Sequence, residues 1–178
     1  MGLLTRSVWQ GLAAGAAGVA VMTLGEKAEQ RLTHRPGSYV PATVLARLLG
    51  VPDAEGPRRV ALNWAMHAGQ GMAVGVVRGL MANAGLRGPW ASAMFTVLRL
   101  SSDQILENAT GAGAPPWTWP RDELAIDLLH KTVYAFAAGA VADGLAARSG
   151  PGPGQLHAAK APGRRHDVGP VPRRMSGC

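Results

Sequence analysis

From Ser7 to Gly25 the chain runs without a charge, with Arg6 before the run and Glu26 and Lys27 after it. That is about the length a helix needs to cross a bilayer, and the pattern predicts a first helix over about 5–30. A second run, Val60 to Val77, is interrupted only by Asn63, His67 and Gln70 and predicts a helix over about 60–84. A third, over about 89–109, opens with the apolar Pro89 to Leu98 and then meets Arg99 and Asp103. The fourth, over about 121–147, carries Asp127, His130 and Lys131 ahead of the apolar stretch Thr132 to Ala142. Two of these four read as good spans, and two carry charge within them.

The connections are equally patterned. Arg35-Pro36-Gly37-Ser38 reads as a turn, after which Pro41 opens a short helix over 41–49 closed by Gly50. Val44, Leu45, Leu48 and Leu49 share its apolar side opposite Arg47, a pattern suited to lying on a membrane interface. Gly111 to Pro120 holds three prolines and is not helical; it sets Trp117 and Trp119 just before a helix begun by Pro120, Asp122 and Glu123. Acids in a first turn favour that start through the helix dipole. Paired tryptophans there suit interface anchors, with half-buried rings and wet indole N–H groups. Beyond Ser149 the run Gly-Pro-Gly-Pro-Gly predicts a disordered tail over 148–178, leaving 1–147 as a helical membrane domain.

The expected fold class is therefore all-α: a four-helix transmembrane bundle with a short interfacial helix and a disordered basic C-terminal tail. The faces of the helices carry this choice. Gly11, Gly15, Gly18, Met22, Gly25 and Glu29 form one stripe of the first helix, and Asn63, His67, Gly71, Gly75 and Gly79 one stripe of the second. In lipid, helices associate by close backbone approach, which Gly-x-x-x-Gly permits. In a soluble helix each interior glycine costs about 0.5–1 kcal/mol relative to alanine. A soluble basic helical protein from an Ala- and Gly-biased genome is the competing reading. A cleaved signal peptide would share Arg6 and the alanine-rich stretch, but the face pattern of the first helix runs past where cleavage would fall.

Composition sharpens this. Hydrophobic residues make up 47% of the chain and charged residues 16%, below the roughly quarter share of an ordinary soluble protein. Cys178, the one cysteine, is the last residue, which excludes an internal disulfide framework and a cysteine-rich metal site. Most of the net charge of +7 lies in Arg148, Lys160, Arg164, Arg165, Arg173 and Arg174, opposed there by Asp167. Such a tail can sit on anionic lipid headgroups near a membrane, can sit on nucleic acid beside a soluble domain, or can simply be solvated; specific nucleic-acid recognition is not expected of basic residues scattered among prolines. Membrane lipids, and further copies of the chain, are the partners this composition suggests.

Ionisable side chains stand on all four helices: Glu29, His67, Asp103 with Glu107, and Asp127 with His130. Carboxylates and imidazoles converging inside a helical bundle can hold a divalent metal or relay protons, and ionisable groups within a membrane are costly enough to signal function. Against this, Arg99 and Asp103 are four apart and can neutralise each other, Glu29 can face water beyond the span, and Asp127 sits near a helix start. No cofactor is expected, and a divalent metal is the ligand these groups could take. Asp127-x-x-His130 is similar to the Glu-x-x-His of di-iron bundles, in one copy and with a shorter acid. The chain has no phosphate-binding Gly-x-x-x-x-Gly-Lys-Ser/Thr and no Gly-x-Ser-x-Gly elbow, and no catalytic residue is assigned. An enzyme is the less favoured class, a membrane protein of structural or stress-related role the first reading, and a transporter or ion-handling protein the second.

The glycine-rich opening helix ending in an acid, the mid-chain helix with His67, the Ala114-Pro115-Pro116 loop with its tryptophans, and the last helix with His130 together resemble the YagU-like family of small bacterial inner-membrane proteins. The resemblance covers roughly residues 7 to 145. It implies an inner-membrane protein whose role is linked to acid tolerance, and it supplies no catalytic residues. With four spans and both ends inside, nine basic residues fall on the inner side against eight outside, which favours cytoplasmic termini.

Overall fold

The computed structural model describes residues 2–160, which form six α-helices and, among these residues, no strand. They are α1 (Leu3–Thr33), α2 (Val40–Leu48), α3 (Gly56–Ala84), α4 (Pro89–Ala109), α5 (Arg121–Ala147) and α6 (Pro153–Lys160). A single 3₁₀ turn, Pro116–Thr118, interrupts the loop before α5. Two of them, α1 and α5, are long and apolar enough to cross a membrane. The four expected long helices and the short one are all present. The second starts earlier than its apolar run, because Gly56-Pro57 provides a proline at the first turn, where its missing N–H costs nothing.

The long helices run alternately in opposite directions. Antiparallel α1 and α3 meet along the two glycine stripes, with Ser7 level with Gly79, Gly11 with Gly75 and Gly15 with Gly71. The fit leaves no room for a side chain: a methyl group on Gly15 would fall 2.6 Å from the Gly71 carbonyl oxygen, and one on Gly75 would fall 2.6 Å from the Gly15 Cα. Gly71 does double duty, since Val19 of α1 fills the space beside it. α5 lies on both helices. Its Tyr134 ring covers Gly18, and Ala142 and Ala146 pack with Ala14 and Ala82. α4 packs chiefly on α5, where Phe95 meets Tyr134 with ring centroids 5.9 Å apart. Gly85, at a φ of 113° that L side chains rarely adopt, ends α3 and starts the short turn into α4.

α2 lies along α3, where the Asn63 side chain accepts the Ala42 N–H at 3.2 Å. Its buried side is Ala42, Val44 and Ala46, while Leu48 and Leu49 are exposed. Only part of the expected apolar stripe is therefore turned inward.

The C-terminal expectation needs correction. Residues 153–160 are helical and packed, not part of a disordered tail: α6 buries Gln155 and Ala158, and Gly152 lets its backbone press on Asn83 to Gly85. Pro153 at the first helical position is already fixed in a helical φ, so the Gly-Pro-rich run starts a helix here. The remainder of the expected tail, 161–178, lies outside the described residues.

Beside the apolar core, buried charge and exposed large apolar side chains both stand out. Arg78 is 0% exposed, Arg99 3%, Asp103 5% and Lys131 7%, whereas Leu24 is 72%, Trp90 77% and Val97 63% exposed. Charged groups line the inside, and the outer faces of α1, α4 and α5 carry Leu4, Trp9, Ile105, Leu128, Leu129 and Phe136.

Candidate functional site

A cavity of about 620 Å³ occupies the end of the molecule where α1 and α4 finish and α3 and α5 begin. The second halves of α1 and α4, the first halves of α3 and α5, α2 and the loops around residues 35–41 and 112–120 all contribute to its wall. The direction of each helix explains the polarity. The uncharged stretches of α1 and α5 fill the opposite half, so the charged turns of α4 and α5 both arrive at this end.

Asp103 is the centre of the cavity floor. One carboxylate oxygen accepts the Gln70 amide at 2.7 Å and lies 2.8 Å from Arg99 Nη1, and the other is 3.2 Å from Lys131 Nζ. Lys131 in turn donates to Asp127 at 2.7 Å. Two cations and two carboxylates thus form a neutral chain between α4 and α5. The face of the Arg99 guanidinium lies over the Tyr134 ring, 5.1 Å from its centroid, and its Nε meets no acceptor. Sharing opposite charges and hydrogen bonds is the condition under which such groups are tolerated in a low-dielectric interior.

The upper wall is looser. His67 stands 3.4 Å from the Thr23 hydroxyl and edge-on to Trp64, with ring centroids 6.1 Å apart. Glu107 holds the turn that follows α4 through its backbone carbonyl, which accepts the N–H groups of Ala112 and Gly113. Its carboxylate packs against Gly113 and has no hydrogen bond or ion pair among the described residues. Trp119 is fixed beside that turn by its indole N–H, which donates to the Ala114 carbonyl at 2.8 Å. His130 is also on the wall.

Of the six polar candidates, the structure brings five to this cavity: His67, Asp103, Glu107, Asp127 and His130. Glu29 is not among them. It lies beyond the wall near the end of α1, its side chain largely covered, and pairs with Arg35 at 2.9 Å. That bond holds the Arg35 guanidinium above its ordinary value. Among the described residues no three His, Cys, Asp or Glu side chains come together as a metal ion would need. Asp103 and Asp127 are instead bridged by Lys131. Trp117 is 84% exposed beside the cavity mouth, and Trp119 is half-buried.

Sequence reasoning missed a second ionic site at the opposite end. Arg78, which reads as a charge before the second loop, is fully buried: its Nη2 lies 2.8 Å from Asp143 and 3.4 Å from the Ser92 hydroxyl. The other Asp143 oxygen accepts the Gly88 N–H at 2.7 Å. Gly139 makes the space, since a Cβ there would run into Ser92. Nearby, Asn83 accepts from Arg6 Nε at 3.0 Å and donates to Gln10 at 2.8 Å. A lone arginine and a lone aspartate inside otherwise uncharged helical runs were the available signal.

No family model, curated protein or solved structure matches this chain.

Proposed function

We propose that the chain is a four-pass integral membrane protein of a bacterial-type inner membrane, with α1, α3, α4 and α5 as a transmembrane bundle, and that its cavity is a chamber which binds a small polar solute from one face. The observation that carries this reading is the combination of buried charge with large exposed apolar side chains. A soluble domain gains stability by withdrawing apolar side chains from water; here charged groups are withdrawn and large apolar groups left outside, which suits a hydrocarbon surrounding and not water.

The tryptophans support the same placement. Trp9 and Trp90 stand near one end, Trp64, Trp117 and Trp119 near the other. Because Thr23 meets His67, Trp64 is level with about residue 26 of α1. The belts are then about 25 Å apart at the rise of an α-helix, close to the hydrocarbon thickness of a bilayer. A purely structural protein would have no use for a chamber lined by five ionisable candidates, so solute handling, without covalent chemistry, is the role this geometry favours. With both termini on the cytoplasmic side, the chamber opens to the outside.

Membranes from cells expressing the tagged chain, washed with carbonate and then high salt, test the placement. Retention is expected, and release into either wash would overturn it. A single cysteine at Thr23 in a Cys178→Ser background tests the chamber: a water-soluble maleimide should label it in sealed membranes, and a site inaccessible from both faces would remove the chamber from the proposal.

A further inference from the structure

We infer that the ligand of this chamber is an organic cation, an amine or quaternary ammonium group, held by the Glu107 carboxylate between the indoles of Trp64 and Trp119. The inference rests on the chamber reading above and adds the charge class of what enters.

It follows from which charges are already engaged. Three of the four wall lysines and arginines face a carboxylate, and the fourth, Lys27, is met by the same Gln30 amide as Glu26. Arg99 is 2.8 Å from Asp103 with its face over Tyr134, Lys131 lies between Asp103 and Asp127, Arg35 is on Glu29, and Lys27 donates to Gln30. The wall carboxylates are not equally matched. Glu107 and Glu123 have no hydrogen bond or ion pair among the described residues, and Glu26 is met only by the amide of Gln30. The unsatisfied Nε–H of Arg99 does not reverse this balance, because the charge of that guanidinium is already offset by Asp103. It is a donor for a neutral oxygen or for water. An uncompensated carboxylate at the edge of a low-dielectric region favours a cation beside it.

The aromatic wall selects the kind of cation. The Glu107 backbone carbonyl holds Ala112 and Gly113, and the Trp119 indole is tied to the next residue, Ala114, so the ring and the free carboxylate belong to one turn on the chamber wall. Trp64 faces the same space from α3, steadied edge-on by His67. Indole faces attract ammonium groups within about 6 Å of the ring centroid, and they do so more strongly for a weakly hydrated organic cation than for a small metal ion that keeps its water. A cavity of about 620 Å³ also exceeds what a bare ion needs.

The test uses the full chain in nanodiscs and equilibrium dialysis with labelled benzyltrimethylammonium, with phenylacetate as an anion of similar size. The cation should bind saturably, the anion about tenfold more weakly or worse, and Glu107→Gln should lower cation affinity about tenfold. Glu107→Asp, which keeps the charge, should retain most of it, and Asp53→Asn, exposed in the loop before α3 and away from the chamber wall, should change nothing. The Thr23→Cys, Cys178→Ser chain separates this inference from its foundation. Labelling that benzyltrimethylammonium slows supports both. Labelling that it leaves untouched, equal binding of phenylacetate, or unchanged affinity in Glu107→Gln overturns the cation assignment and leaves the chamber standing. No labelling at all overturns both.

Discussion

The hydroxyl of Tyr134 donates to the carbonyl oxygen of Gly71 at 2.5 Å, fastening α5 to α3, while the ring of the same residue lies on Gly18 of α1. Three helices meet at this side chain, and it is fully buried. Tyr134→Phe should keep the packing and lose the bond, lowering stability by about 1 kcal/mol. Gly18→Val should do more harm, because a Cβ there would stand 2.8 Å from the ring and 2.9 Å from the Tyr134 carbonyl oxygen, and backbone cannot yield as a side chain can. Unfolding of detergent-solubilised protein in a graded denaturing detergent measures both, and a Tyr134→Phe chain as stable as the parent would mean that the bond contributes nothing.

The glycines divide into two classes by what surrounds them. Gly11, Gly75 and Gly79 face backbone across the α1–α3 contact, whereas Gly69 and Gly144 have open space where a Cβ would go. Alanine at Gly75 should therefore force the helices apart and cost about 1–3 kcal/mol. Alanine at Gly69, on the same helix, should be neutral or stabilise by up to about 1 kcal/mol through helix propensity. If both alanines cost the same in the denaturation assay, the close contact would not be what the glycines are for.

The glycine contact was legible in the sequence because one partner repeats at alternating steps of four and three and the other at steps of four, and a stripe of small residues has one physical use in a helix interface. The polar cavity was legible in part for a similar reason. Helical spacing places Asp103 with Glu107, and Asp127 with His130, on single faces, and the alternating direction of the helices then brings those faces to one end. Glu29 escaped this logic, since only the path of the following loop decides that Arg35 returns to it. Arg78 and Asp143 escaped it more completely: each is the one charged residue in the second half of its helix, and their pairing depends on how α3, α4 and α5 dock. The Gly-Pro run before α6 has the composition of a disordered segment, and its order comes from a backbone groove at Asn83 to Gly85 that composition does not record.

The Arg78–Asp143 pair gives a sharp energetic test. Arg78 is 0% exposed and Asp143 is its one carboxylate partner among the described residues. Asp143→Asn would leave a buried guanidinium without a counter-charge, an effect of about 3–5 kcal/mol. Replacing both, as Arg78→Met with Asp143→Leu, removes the charge and the need for compensation together, so much of the loss should be recovered. A double replacement as damaging as the single one would indicate that the pair orders the α3–α4 turn through the Gly88 N–H more than it balances charge.

Arg87 ties together three chain ends: its Nε donates to the Ala82 carbonyl at 2.8 Å, and its Nη2 to Ala146 and Gly150 at 3.3 and 2.9 Å. These carbonyls lie in the last turns of α3 and α5 and in the link to α6; Ala82 and Ala146 already accept the N–H groups of Gly85 and Ser149, and Arg87 gives each a second donor. A cation at helix C-termini also opposes their negative dipole ends. Arg87→Ala should cost about 1–3 kcal/mol, and because α6 rests on the same turn, its amides should lose hydrogen-exchange protection before those of α1. Uniform loss of protection across all helices would instead make Arg87 a general stabiliser with no special hold on α6.

The two groups of tryptophans allow the membrane placement to be read by depth. In single-tryptophan variants reconstituted into vesicles, Trp9 and Trp90 should be quenched most by bromines near the headgroups, and so should Trp117. An impermeant aqueous quencher added to right-side-out inner-membrane vesicles should reach Trp117 and spare Trp9 and Trp90 if the termini are cytoplasmic as proposed, since the cavity end would then face outside. Quenching of Trp9 and Trp90 alone would turn the molecule over and open the chamber to the cytoplasm. Equal aqueous quenching of all three, with none from the brominated lipids, would mean that the apolar outer faces of α1, α4 and α5 are covered by something other than a bilayer.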